Sequence, residues 1–120
     1  MKILIVVPAR FKSSRLPGKP LRKIAKKELI LRVLNSCEKI ISKKINLIVA
    51  TDDLRIHKFV KKNNFESIMT SKRCLTGTDR VAEVSKKIKS DIYINVQGDE
   101  PLIKSKDILK IIEAKKKFSN

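Results

Sequence analysis

Ile3-Leu4-Ile5-Val6-Val7-Pro8-Ala9-Arg10-Phe11-Lys12-Ser13-Ser14-Arg15-Leu16-Pro17-Gly18-Lys19-Pro20 passes from an unbroken apolar run into a loop with four cations and three prolines. Ile3 to Val7 lacks polar alternation, so it reads as a strand buried on both faces. Proline fixes φ and lacks an N–H, so residues 8–20 read as a stiff loop that cannot extend the sheet. Such a loop beside a strand end suits an anion such as a polyphosphate. A solvated basic turn is the plainer reading of the loop taken by itself.

Outward from this stretch, strands and helices alternate. Strands are expected at Lys2–Val7, Ile45–Ala50, Glu66–Met69 and Ile92–Val96. Helices are expected at Glu28–Ser42, Asp53–Asn63, Thr78–Lys89 and Ser105–Phe118. The first helix carries Leu29, Ile30, Val33, Leu34, Cys37, Ile40 and Ile41 on one stripe. The last is opened by a Ser105 cap, with Ile108, Leu109, Ile111 and Ile112 inside. The order βαβαβαβα predicts an α/β fold, a parallel sheet with helices on both faces. Ligands bind such sheets at the carboxyl ends of the strands.

The chain breakers point to the same edge. All three Gly (18, 77, 98) and all four Pro (8, 17, 20, 101) fall in the loops 8–20, 70–78 and 97–101. Loops collect Gly and Pro in general. That does not explain why segments 42–45 and 89–91, at the opposite edge, have none.

Composition limits the alternatives. A chain of 120 residues is one domain or part of one, and 42% hydrophobic residues suffice for a core. No apolar run approaches the roughly 20 residues of a transmembrane helix, and the N-terminus lacks a signal-peptide pattern. No membrane partner and a cytoplasmic location are therefore expected. Cys37 and Cys74 are the only cysteines and His57 the only histidine, so zinc or Cys-His chemistry has little support. Cys37 is expected to be a buried apolar residue, and His57 a surface residue without a catalytic role.

The net charge of +17 invites a nucleic-acid reading, but the lysines are spread along every helix. Aromatic residues are 4% with no Trp, so base-stacking platforms are scarce and no nucleic-acid partner is expected. Arg10, Arg15 and Arg80 instead fall in the candidate loops, and Arg suits bidentate phosphate binding.

The familiar phosphate loops are absent. Three scattered glycines cannot make G-x-G-x-x-G, and Ser13 and Pro20 break the Walker A pattern around Gly18-Lys19. Arg10, Arg15 and Lys19 could still converge on a triphosphate, with Gly18 allowing close approach. In Val96-Gln97-Gly98-Asp99-Glu100-Pro101, Asp99 is a candidate Mg²⁺ ligand, because hard cations take carboxylate oxygens. In Thr76-Gly77-Thr78-Asp79-Arg80, Thr78 or Asp79 is expected to cap a helix, leaving Thr76 and Gly77 free to meet a ligand. Thr51-Asp52-Asp53 reads as another N-cap.

Together these segments resemble the cytidylyltransferases that activate 3-deoxy-manno-octulosonate (Kdo), the CMP-Kdo synthetases. The matching stretches are Pro8-Ala9-Arg10-x4-Arg15-Leu16-Pro17-Gly18-Lys19-Pro20-Leu21, Ala50-Thr51-Asp52-Asp53, Thr76 to Val84, and Asn95-Val96-Gln97-Gly98-Asp99-Glu100-Pro101. The first loop is shared with other sugar nucleotidyltransferases, whereas the last stretch is more diagnostic. The CMP-sialate synthetases carry a different first loop and fit less well.

The resemblance implies a Rossmann-like parallel sheet of the sugar nucleotidyltransferase type, incomplete at 120 residues. It implies that CTP and Kdo give CMP-Kdo and pyrophosphate with Mg²⁺, for lipopolysaccharide synthesis. By resemblance, Arg10, Arg15 and Lys19 hold the triphosphate, with Lys19 nearest the developing charge. Pro8, Ala9, Thr76 and Gly77 shape the cytidine pocket, Gln97 lies near the sugar, and Asp99 binds Mg²⁺. Family members are homodimers of about twice this length. Their second half supplies another metal-binding Asp, most of the Kdo pocket and the dimer interface. Residues 1–120 are thus expected to be the nucleotide-binding part of one domain, with weak or no activity alone. Ala25-Lys26-Lys27-Glu28, in place of a shorter Gly-Lys-Pro turn, is expected to alter a hairpin and not the chemistry. A nucleotidyltransferase for another acidic or amino sugar, and a non-catalytic basic binding module, are the alternatives.

Overall fold

A computed structural model describes residues 1–11, 18–24, 27–98, 100 and 102–117. Strands β1 (Ile3–Ala9), β4 (Ile45–Thr51), β5 (Ser67–Met69) and β6 (Ile92–Asn95) form one parallel sheet in the order β5-β4-β1-β6. A short antiparallel hairpin, β2 (Lys23–Ile24) with β3 (Lys27–Glu28), precedes the first helix. The helices are α1 (Leu29–Glu38), α2 (Leu54–Lys62), α3 (Gly77–Lys87) and α4 (Ser105–Lys117).

The apolar run at the start dictates the centre of this sheet. Every residue of β1 is buried. Ile3, Ile5, Val7 and Ala9 face the larger core, with Ile30, Val33 and Leu34 of α1, Ile56 and Val60 of α2, and Ile108 and Ile112 of α4. Leu4 and Val6 face the smaller core with Ile48, Ala50 and Val84 of α3. Helices α1, α2 and α4 thus cover one face and α3 the other. Strand order reverses at β1: the chain runs outward through β4 and β5, then crosses back to β6 on its other side. The carboxyl ends of β1 and β6 therefore flank the switch point, where such sheets bind ligands.

Several expectations need correction. Pro8 and Ala9 belong to β1, pairing with Ala50 and Thr51 of β4, and do not start the loop. The Pro8 carbonyl accepts from Gly98 N at 3.2 Å, so Pro8 turns its missing donor toward β6, whose pairing with β1 ends at Asn95. No ladder bond to β4 is lost. Helix α1 stops at Glu38, because Ile40 N and Ile41 N reach back only three residues, to Cys37 O and Glu38 O. Ser42 Oγ then accepts from Lys44 N and Ile45 N, turning the chain into β4. Ile41 is consequently exposed, while Ile40 still packs on the core.

Leu109 and Ile111 are also exposed, because α4 buries only the Ile108 and Ile112 line. Ser105 is no cap: its hydroxyl donates to Ser36 O of α1 at 2.7 Å, while the Asp107 carboxylate accepts from Lys104 N. Helix α3 runs Gly77–Lys87, and Ile88 is already extended. His57 is half-buried, with Nδ1 2.7 Å from Ser67 Oγ, so it is a packing residue and not a surface one. Partial burial, and then Lys61, lower its pKa.

Candidate functional site

Three loops meet at the carboxyl edge of the sheet around a pocket of about 140 Å³. Its wall comprises Pro8, Ala9 and Arg10 from the end of β1, Lys19 and Pro20 from a single 3-10 turn, Thr76, Gly77 and Arg80 from the start of α3, and Gln97 beyond β6. The parallel register explains this convergence, since residues 8–10 end β1 while 76–80 and 97 come after β5 and β6, strands that point the same way. Pro8, Ala9, Arg10, Lys19, Thr76, Gly77 and Gln97, singled out from sequence, are thus brought together. Arg15 and Asp99 lie outside the described residues, as do Lys12 to Pro17, the Ala25-Lys26 part of the hairpin, and Pro101.

The glycines have distinct local reasons. Gly18 adopts φ 72°, a left-handed conformation that favours glycine. A Cβ there would lie 2.8 Å from Phe11 Cε2. A Cβ on Gly77 would lie 2.7 Å from Gln97 Nε2 and 3.3 Å from Pro8 Cγ, so this glycine keeps two walls of the pocket close together. Gly98 sits against the end of β1, where a Cβ would come within 3.1 Å of Pro8 O.

Thr76 is not a free side chain. It is the N-cap of α3: its Oγ1 accepts from Asp79 N at 3.0 Å, and Asp79 Oδ2 accepts from Thr76 N at 3.3 Å. This capping box satisfies two orphan N–H groups of the first turn. The N-cap is thus Thr76, and not Thr78 or Asp79 as expected; Asp79 only returns the bond from the third helical position. Thr76 still lines the pocket. Asp53 caps α2 by accepting from Arg55 N and Ile56 N, and Thr51 Oγ1 accepts from Asp53 N.

Arg80 departs furthest from expectation. It is fully buried, whereas the sequence reading set it among the cations suited to phosphate. Its NH1 donates to Thr70 Oγ1 at 2.6 Å and to Ser71 O at 3.4 Å, and its NH2 donates to Cys74 O at 3.3 Å. Asp52 lies 3.7 Å from NH2, and Nε has no partner among the described residues. Arg80 therefore ties segment 70–74 from within, while part of it still lines the pocket. Glu83 ties the same segment from outside: its carboxylate accepts from Ser71 N and is 3.5 Å from Cys74 Sγ. Lys87, and then the Ser71 N–H, hold Glu83 below the usual carboxylate range. Arg10 closes the segment by donating to Leu75 O at 3.1 Å.

The role of Asp52 and Arg80 escapes a linear reading because the two lie 28 positions apart and meet only through the parallel sheet. Among the described wall residues are three cations, Arg10, Lys19 and Arg80, and no carboxylate. A partly apolar seat with cations at its rim suits a nucleotide, the base on the apolar part and the phosphates on the charges. No group of three or more His, Cys, Asp or Glu is placed to hold a metal among the described residues. No helix among them is long and apolar enough to cross a membrane.

Comparison with known proteins agrees with this geometry. The Cytidylyltransferase family profile matches residues 4–120. The chain is 43% identical over 112 residues to the 3-deoxy-manno-octulosonate cytidylyltransferase of Escherichia coli, covering 93% of this chain and 45% of that protein. It is 46% identical over 114 residues to that of Fusobacterium nucleatum, covering 94% and 46%. Among solved structures, CMP:2-keto-3-deoxy-manno-octonic acid synthetase complexed with CTP superposes with a TM-score of 0.91 at 41% identity, covering 98% of this chain and 48% of that one. A cytidylyltransferase from Leptospira borgpetersenii gives 0.78 at 26% identity, covering 95% and 48%. The chain spans somewhat under half the length of these relatives.

Proposed function

The chain belongs to the cytidylyltransferase family, and from that premise we propose that residues 1–120 are the nucleotide-binding part of an enzyme that activates Kdo with CTP. One observation carries the reading. Seven residues matched by motif, from three segments far apart in sequence, line a single cationic pocket at the switch point of the sheet. The anomeric hydroxyl of Kdo attacks the α-phosphorus of CTP. A new P–O bond forms, the bond from the α-phosphorus to the α,β-bridging oxygen breaks, pyrophosphate leaves, and the hydroxyl proton passes to solvent. Such phosphoryl chemistry depends on positioning and charge stabilisation. Arg10 and Lys19 hold the triphosphate from the two ends of the first loop, together with Arg15. Pro8, Ala9, Thr76 and Gly77 enclose the cytidine, with Gln97 toward the sugar.

We infer that Mg²⁺ accompanies the nucleotide, with Asp99 as its protein ligand. The ion takes one or two protein carboxylates and completes its shell with phosphate oxygens and water. Asp99, next in sequence to Gly98, would supply the carboxylate. When bound, the ion would offset charge on the phosphate oxygens. On this reading the Kdo pocket and a homodimer interface would lie in the part of the relatives' length that this chain does not span. Nucleotide binding, in a cytoplasmic setting, is accordingly the activity to measure on these 120 residues.

Calorimetry with CTP and ATP, with and without Mg²⁺, tests the reading. CTP is expected to bind more tightly than ATP, and Lys19→Ala to weaken CTP by about tenfold, or ~1.4 kcal/mol. Equal affinity for the two nucleotides, or an unchanged Lys19→Ala chain, overturns it.

A further inference from the structure

Outside the pocket wall, one chain of contacts joins helix α2 to the base of the first loop. Phe11 O accepts from Gly18 N at 2.5 Å, so the loop is closed at its two ends. The Phe11 ring rests on the Gly18 α-carbon, where even a methyl group would sit 2.8 Å from the ring edge. Over the same ring lies the Arg55 guanidinium, its central carbon 3.2 Å from the centroid. Arg55 is itself fixed by a bidentate pair: Nε donates to Asp53 Oδ1 at 3.1 Å and NH2 to Oδ2 at 2.8 Å. Asp53 is immobilised as the N-cap of α2. The carboxylate orients the guanidinium, the guanidinium covers the ring, and the ring seats the glycine.

The two residues that extend this unit on the pocket side are Arg10 and Lys19, immediate neighbours of Phe11 and Gly18. Neither Asp53 nor Arg55 lines the pocket. We propose that Arg55 is a positioning residue: with Asp53 it clamps Phe11 onto Gly18 and so holds Arg10 and Lys19 ready for the triphosphate. The inference rests on the nucleotide reading above. Its energetic content is preorganisation, since a loop base ordered before binding need not be ordered by the ligand.

Because the clamp acts on the cations and not on the base seat, it should discriminate between nucleotides. In calorimetry on the 120-residue chain, Arg55→Ala is expected to weaken CTP about fivefold, or ~1 kcal/mol, and to leave CMP unchanged. Arg55 is 60% exposed, so the variant should lower the urea midpoint only slightly and stay folded in the calorimetric buffer. Phe11→Leu should reproduce the CTP effect, and the double variant should be no worse than either single one, because both break the same contact. Equal losses for CTP and CMP, full additivity of the two substitutions, or unchanged CTP affinity in Arg55→Ala each overturn the clamp alone. Failure of the unsubstituted chain to bind CTP overturns the nucleotide reading and the clamp with it.

Discussion

Gly77→Ala separates pocket shape from fold stability. Gly77 opens α3 without a positive φ, so alanine is conformationally acceptable there. Alanine in a helix interior is favoured over glycine by roughly 0.5–1 kcal/mol, and part of that applies at the first turn. Against it, the new methyl would lie 2.7 Å from Gln97 Nε2 and 3.3 Å from Pro8 Cγ. Gln97 is exposed and can swing away, giving up its 3.1 Å bond to Asn95 Oδ1, worth about 0.5–1.5 kcal/mol at most. These terms nearly cancel, so stability should change by less than about 1 kcal/mol. The pocket has no such relief. The methyl and the displaced Gln97 both alter a wall enclosing about 140 Å³. Overpacking costs about 1–3 kcal/mol, so CTP affinity should fall by tenfold or more, roughly 1.4 kcal/mol at least. Urea denaturation reads the first quantity and calorimetry with CTP and Mg²⁺ the second. A Gly77→Ala chain that binds CTP as tightly as the unsubstituted one, or that loses affinity only in step with its folded fraction, refutes the reasoning.

Gly98→Ala should behave oppositely. Its methyl would meet Pro8 O at 3.1 Å and Val7 Cγ1 at 3.3 Å, atoms of the central strand that cannot move aside, so a stability loss of about 1–3 kcal/mol is expected by urea denaturation. Arg80→Met keeps bulk but leaves Thr70 Oγ1 and the carbonyls of Ser71 and Cys74 without their donor, costing about 2–3 kcal/mol on the same measurement. Asp53, through Arg55, and Glu83, through Lys87, have pKa values below their ordinary 3.8 and 4.5. The stability they contribute is present above those values and lost as pH falls through the lower folded ones, so a urea midpoint followed downward from pH 6 should drop below about pH 4.5, and less in Asp53→Asn. Burial pushes the Cys37 thiol up to about 12, so iodoacetamide at pH 8 should label Cys74 first and Cys37 only on unfolding, as peptide mass mapping would show.

The sheet was legible because its signal is local. Five consecutive apolar residues at Ile3 to Val7 can be buried on both faces only in a strand between neighbours, and the alternation with helices then makes the neighbours parallel. The convergence of the Gly- and Pro-bearing loops follows from that parallelism and needs no side-chain detail. What escaped depends on distances that parallelism alone does not set. Thr76 and Thr78 are equally good N-caps by residue type. The choice between them falls to Thr76 because Asp79, three positions on, returns the bond to its N–H. Arg80 read as a phosphate cation because it falls in a candidate loop and arginine suits bidentate phosphate binding. Its partners, Asp52 and Thr70, arrive from the ends of β4 and β5. The same geometry gives that burial a purpose. An arginine turned inward spends its donors on the carbonyls of segment 70–74, and this rigid backing holds Thr76 and Gly77 at the wall while Arg10 and Lys19 remain the cations at the pocket rim. Buried and rim cations so close in space are told apart only by which carbonyls the fold presents to each.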